Sequence, residues 1–76
     1  MDGKADAVNP AHYRRCRDVL GVEVIDILEF FFGDDPLMWQ VGKYVLRAGH
    51  KDGLVQDLEK ARWYLQRRIA KELERE

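Results

Sequence analysis

The segment 22–32 constrains this chain more than any other. Val22, Val24, Ile25, Ile27, Leu28, Phe30, Phe31 and Phe32 are apolar and leave Glu23, Asp26 and Glu29 as a polar stripe at three-residue spacing. That is the period of one helix face, not the alternation of a strand. A helix this apolar has more greasy surface than one small domain can cover. The surplus, ending in three consecutive phenylalanines, predicts packing against another subunit and hence a homo-oligomer. The polar stripe has two readings. Glu23 and Asp26, one turn apart, are candidate ligands for a hard divalent cation, which favours oxygen donors; alternatively they are the solvated edge of an amphipathic helix.

Length sharpens the oligomer argument, because 76 residues make one domain whose own core gives only marginal stability. Cys16 is the only cysteine, which excludes an internal disulfide, and His12 and His50 lack neighbours at zinc-site spacing. Self-association is the remaining support. A net charge of −1 with 36% charged residues lacks the basic excess that nucleic-acid binding uses. No run is long and apolar enough for a membrane span, and the N-terminus has no apolar core behind its charges, so the expected location is cytoplasmic.

Turn signals divide the rest. Residues 1–8 read as a flexible arm and residues 9–76 as a single helical domain. Pro10 restricts Asn9 and fixes its own conformation, so His12 and Tyr13 are presented from a defined turn, either to act on a ligand or to seal the core edge. Gly33-Asp34-Asp35-Pro36 is the clearest boundary: glycine ends one helix, Asp35 caps the next and Pro36 fits its first turn. The second helix then runs to about Gly49, with Leu37, Met38, Val41, Val45 and Ala48 on its buried side. The third runs from about Leu54 to near the end, with Leu58, Ala61, Leu65, Ile69 and Leu73 as its apolar seam and an Arg68 to Glu72 ion pair beyond it. Three helical patterns and no strand pattern predict a compact all-α, three-helix domain.

Chemistry concentrates at residues 40–65. Lys43, Arg47 and Lys51 recur every four residues and project from one helix face, while Asp57, Lys60 and Tyr64 form one stripe of the following helix. A cationic row facing a polar stripe with one carboxylate suits a phosphorylated ligand. Tyr44, Tyr64 or Trp63 would stack on a base, although aromatics at helical spacing also serve as core. The competing reading of the cation row is a solvated face. The chain has neither serine nor threonine, which excludes a Ser/His/Asp hydrolase, and it has no P-loop.

Four blocks in order carry a family resemblance: Asn9-Pro10-Ala11-His12-Tyr13, Gly21-Val22-Glu23-Val24-Ile25-Asp26, Lys43-Tyr44-Val45-Leu46-Arg47-Ala48-Gly49-His50-Lys51, and Asp57-Leu58-Glu59-Lys60-Ala61-Arg62-Trp63-Tyr64-Leu65. Together they resemble a short phage-encoded family of unknown-function domains that includes a small nucleotide kinase lacking a Walker loop. Gln40 and Gly42 depart from its pattern, which tends to asparagine and a β-branched residue there. The resemblance implies a phage protein of the infected host cell that transfers phosphoryl groups from Mg²⁺-ATP to nucleoside monophosphates. Lys43, Arg47, Lys51, Tyr44, Lys60 and Tyr64 would then hold substrate. His12 would carry a proton, and Asp57, Glu23 or Asp26 would hold the metal. Two other classes use the same residues differently: a non-catalytic protein that sequesters a nucleotide, and a helical module that inhibits a host protein.

Overall fold

The computed structural model describes residues 11–50 and 53–76, with side chains from Tyr13 onward. Among them the chain forms four helices and no strand: α1 (Ala11–Leu20), α2 (Val24–Phe32), α3 (Pro36–Arg47) and α4 (Leu54–Arg75). The all-α class is as expected, but the count is four rather than three. Residues 11–20 form a helix of their own instead of a turn leading into the next. Their many arginines mask a weak 3–4 spacing at Tyr13, Cys16 and Leu20, and the helix ends at Gly21, whose N–H donates to the Arg17 carbonyl at 2.8 Å. The expected N-terminal arm and the Asn9-Pro10 turn lie outside the described residues.

α2 begins with a reciprocal use of its two acids. Asp26 Oδ2 accepts from the Glu23 backbone N–H at 3.0 Å, the geometry of a capping box. Glu23 also meets Arg17 at 3.7 Å, which ties the end of α1 to the start of α2. α3 begins as the Asp-Pro signal predicts: Asp35 Oδ1 accepts from the Met38 N–H at 3.0 Å, with Pro36 in the first turn. At the other end of α3 the chain turns through Gly49 (φ 88°) and enters α4 through Gly53 (φ 86°), a left-handed conformation that favours glycine at both positions.

α3 is the central element, packed against α2 on one side and α4 on the other. Gly42 makes the first contact close. A Cβ there would stand 2.9 Å from both Leu28 Cδ2 and Phe32 Cε2, so the absence of a side chain lets α2 lie against the α3 backbone. That accounts for a glycine inside a helix, where it costs about 1 kcal/mol relative to alanine. On the other side the packing differs from the expected leucine seam. Asp57 and Ala61 are the buried residues of α4, with Lys60, Tyr64 and Arg68 half-buried beside them, whereas Leu58, Leu65, Ile69 and Leu73 are exposed. Val45, expected inside, is exposed as well. Two ion pairs explain the rotation of α4 toward its polar stripe: Arg47 with Asp57, and Arg68 with Asp35 at 2.7 Å. The apolar core of the described residues is correspondingly small, comprising Val24, Leu28 and Ala61.

Asp35 therefore serves two helices at once, capping α3 and accepting from Arg68 Nε of α4. The hydrogen bond from Arg68, reinforced by that from the Met38 amide, holds its carboxyl below the usual range. A lowered folded-state pKa gives stability that is complete above the ordinary value of about 4 and lost as pH falls through the folded value. Replacing Asp35 with alanine should remove about 1 kcal/mol from the cap alone. Thermal melts should show the destabilisation at neutral pH, and the gap between wild type and Asp35→Ala should narrow in acid below about pH 4.

Candidate functional site

The two stripes singled out in the sequence do meet. Arg47 near the end of α3 donates to Asp57 in the first turns of α4 through both arms of its fork, Nη2 to Oδ1 at 2.7 Å and Nε to Oδ2 at 3.3 Å. Asp57 is only 3% exposed. A carboxylate that dry is tolerable because a bidentate, charge-assisted pair replaces its hydration. The hydrogen bond that Arg47 donates to Asp57 in turn raises the guanidinium's pKa, so this cation stays charged at any working pH.

Around this pair the aromatic residues assemble. Tyr44 of α3 stacks on Tyr64 of α4 with ring centroids 6.0 Å apart and planes at 14°. Three cations crowd the Tyr44 ring: Lys43 Nζ at 4.7 Å, the Arg47 guanidinium carbon at 5.0 Å and Lys60 Nζ at 5.4 Å from its centroid. Each favours the electron-rich face of the ring. No described carboxylate forms an ion pair with Lys43 or Lys60, so the surface beside Tyr44 carries two uncompensated positive charges. Trp63 meets the edge of Tyr64 at 5.0 Å and is 60% exposed. Tyr44, Lys60, Trp63 and Tyr64 line an open depression of about 330 Å³.

Tyr13 of α1 adds a fourth aromatic group, and its part was not legible from sequence. Burial raises its hydroxyl pKa, with Arg47 opposing the shift and Asp57 adding to it, which sets Tyr13 within electrostatic reach of the pair. Its position after the Asn-Pro turn suggested a core-edge role, but nothing in the sequence pointed to the α3–α4 junction as its neighbour.

Six of the ten candidate site residues are thus brought together: Lys43, Tyr44, Arg47, Asp57, Lys60 and Tyr64. Glu23 and Asp26 stand instead at the start of α2, where each has a capping duty. The side chain of His12 and all of Lys51 lie outside the described residues. For magnesium, the arrangement of acids is unfavourable. Asp57 is buried against Arg47, and among the described residues no three His, Cys, Asp or Glu side chains gather where they could hold one ion.

A small helical domain with a cationic, aromatic surface is the class these features define. Residues 8–66 match the family described as a protein of unknown function, DUF3310, and the chain belongs to that family. No curated protein and no solved structure matches it.

Burial of Asp57 sets what its partner does for the fold. If Arg47 were a solvated surface charge, its loss would change stability by about 0.5 kcal/mol or less. Because its loss takes the bidentate, charge-assisted bonds from a dry carboxylate, Arg47→Ala should instead cost about 2 kcal/mol or more and lower the melting temperature by roughly ten degrees. Arg47→Met combined with Asp57→Leu should recover much of that loss. A double-mutant cycle read by thermal denaturation checks both expectations.

Proposed function

We propose that this protein binds a nucleotide at the Tyr44 surface, with phosphates drawn to Lys43 and Lys60 and the base laid against Trp63. The carrying observation is the pair of lysines gathered over one aromatic ring without a carboxylate to neutralise them, beside an exposed indole. A phosphate oxygen accepting from a lysine forms a charge-assisted bond worth about 1.5–3 kcal/mol, and a base stacked on an aromatic ring gains about 1–3 kcal/mol. Tyr44 itself is a poor platform for the base, because Tyr64 lies along it and the cations surround it. Trp63 is the free one. Arg47 acts here by fixing the α3–α4 junction, from which Lys43 and Lys60 project.

Within this reading the geometry favours binding over catalysis. Asp57, the carboxylate of this cluster, is already neutralised by Arg47, so a sequestering role needs nothing further from the described residues. Phosphoryl transfer to nucleoside monophosphates, in a phage protein acting in the cytoplasm of an infected cell, is the more ambitious version and rests on the resemblance of the four sequence blocks.

Isothermal titration of nucleoside mono-, di- and triphosphates into wild type, Lys43→Ala and Lys60→Ala tests the reading. Each substitution should weaken affinity about tenfold or more while leaving the melting temperature within about a degree or two, since neither lysine is buried in an ion pair. Trp63→Phe should discriminate less between nucleotides and inorganic phosphate. Incubation with labelled ATP and a panel of nucleoside monophosphates separates the two versions: product formation supports transfer, and stoichiometric binding without turnover supports sequestration. Absence of binding by all of them sinks both.

A further inference from the structure

The face of α4 turned away from the site has its own pattern. Written in heptads, α4 places Val55, Arg62 and Ile69 at one seam position and Leu58, Leu65 and Glu72 at the other. In the folded chain this seam is bare: Val55 is 69%, Leu58 48%, Leu65 41% and Ile69 51% exposed. Leu54 and Leu73 flank it and are exposed too. These six aliphatic side chains leave on the order of 500 Å² of apolar surface uncovered, near the upper limit for the largest patch of a monomer.

We propose that the occupant of this face is α4 of a second copy of the chain, lying antiparallel and centred near Arg67. The two charges in the seam select the arrangement. In an antiparallel pair centred there, Leu65 meets Ile69 of the second copy and Arg62 meets its Glu72, with both contacts repeated by the two-fold axis. A parallel pair would set Arg62 on Arg62 and Glu72 on Glu72. An antiparallel slip of one heptad would set Arg62 on Leu65 and Glu72 on Val55, leaving both charges without partners in an apolar seam. Within one chain Arg62 bonds Glu59, and Glu72 bonds Arg68 and Arg75, but all these are exposed contacts between neighbours on one helix and exchange readily. A copy of the same chain also suits the small apolar core of the described residues, because it is present wherever the protein is.

Two measurements on the full chain test the pairing. Sedimentation equilibrium from nanomolar to micromolar concentration should show a dimer, and Leu65→Asp should raise its dissociation constant about a hundredfold or more. Because a charged variant can misfold, a cysteine experiment in a Cys16→Ala background keeps the register testable with milder changes. Leu65→Cys and Ile69→Cys chains should form a disulfide-linked dimer when mixed under oxidising conditions, and neither should link efficiently by itself. An 8.9 kDa monomer throughout the range overturns the proposal. So does efficient self-linking of Leu65→Cys alone, which means parallel pairing. An oligomer unaffected by Leu65→Asp but lost in Phe31→Asp overturns it too, placing the contact on the exposed phenylalanines of α2.

Discussion

The contact between Arg47 and Asp57 decides how this small chain folds. α3 and α4 are joined by a short corner that contains two left-handed glycines, and a corner of that kind permits many crossing arrangements. The bidentate pair selects one of them, because a carboxylate this deeply buried needs the charge-assisted bonds that the guanidinium supplies. Once Asp57 faces α3, the helical period turns Ala61, Tyr64 and Arg68 the same way. The stacking of Tyr64 on Tyr44 and the bond from Arg68 to Asp35 follow along the same line. The α3–α4 contact is therefore polar at each end, with a small residue and stacked aromatics between.

This choice has a consequence on the opposite side of α4. A helix that spends its polar stripe on its neighbour presents its leucines to solvent, and that is the observed state of Leu58, Leu65, Ile69 and Leu73. Ordinary amphipathic packing would have reversed the two faces. The reversal makes physical sense if the aliphatic face is kept for a partner while the polar face builds a site within the chain. The same sharing out of surfaces appears on α2, where Leu28 packs near Gly42 while Phe30 and Phe31 remain 80% and 67% exposed.

What could be read from sequence follows this division. Local signals were legible: the Asp35-Pro36 start of α3, the glycine corner, the start of α4 and the Arg68–Glu72 pair all appear where the residues indicate, because caps, turns and neighbouring pairs depend on a few consecutive residues. Periodicity identified the faces of α4 but misassigned them, since it assumes that the apolar face is the buried one. It could not show that Arg47 would find Asp57, ten residues away, and turn the helix. α1 was missed because its arginines dilute the pattern, and the place of Tyr13 beside the ion pair is tertiary information. The site was more legible than the core. Lys43, Arg47, Lys60 and Tyr64 were grouped by four-residue spacing alone, and the structure adds that Arg47 holds the junction while the two lysines remain uncompensated.

The separation of the two faces also bears on how binding and assembly would interact. Lys60 and Trp63 project from one side of α4, beside Lys43 of α3, and the heptad seam runs along another, so pairing through the seam would not cover the depression beside Tyr44. A nucleotide bound there and a second chain bound at the seam would both stabilise the same helix, each favouring the ordered state that the other needs. The family match ends at residue 66, within α4, whereas Ile69 and Glu72 lie beyond it. The elements of the lysine and tyrosine cluster thus lie inside the matched span, and the decisive half of the seam does not. If both proposals hold, the ligand surface lies within the matched span, and the pairing depends in part on residues beyond it.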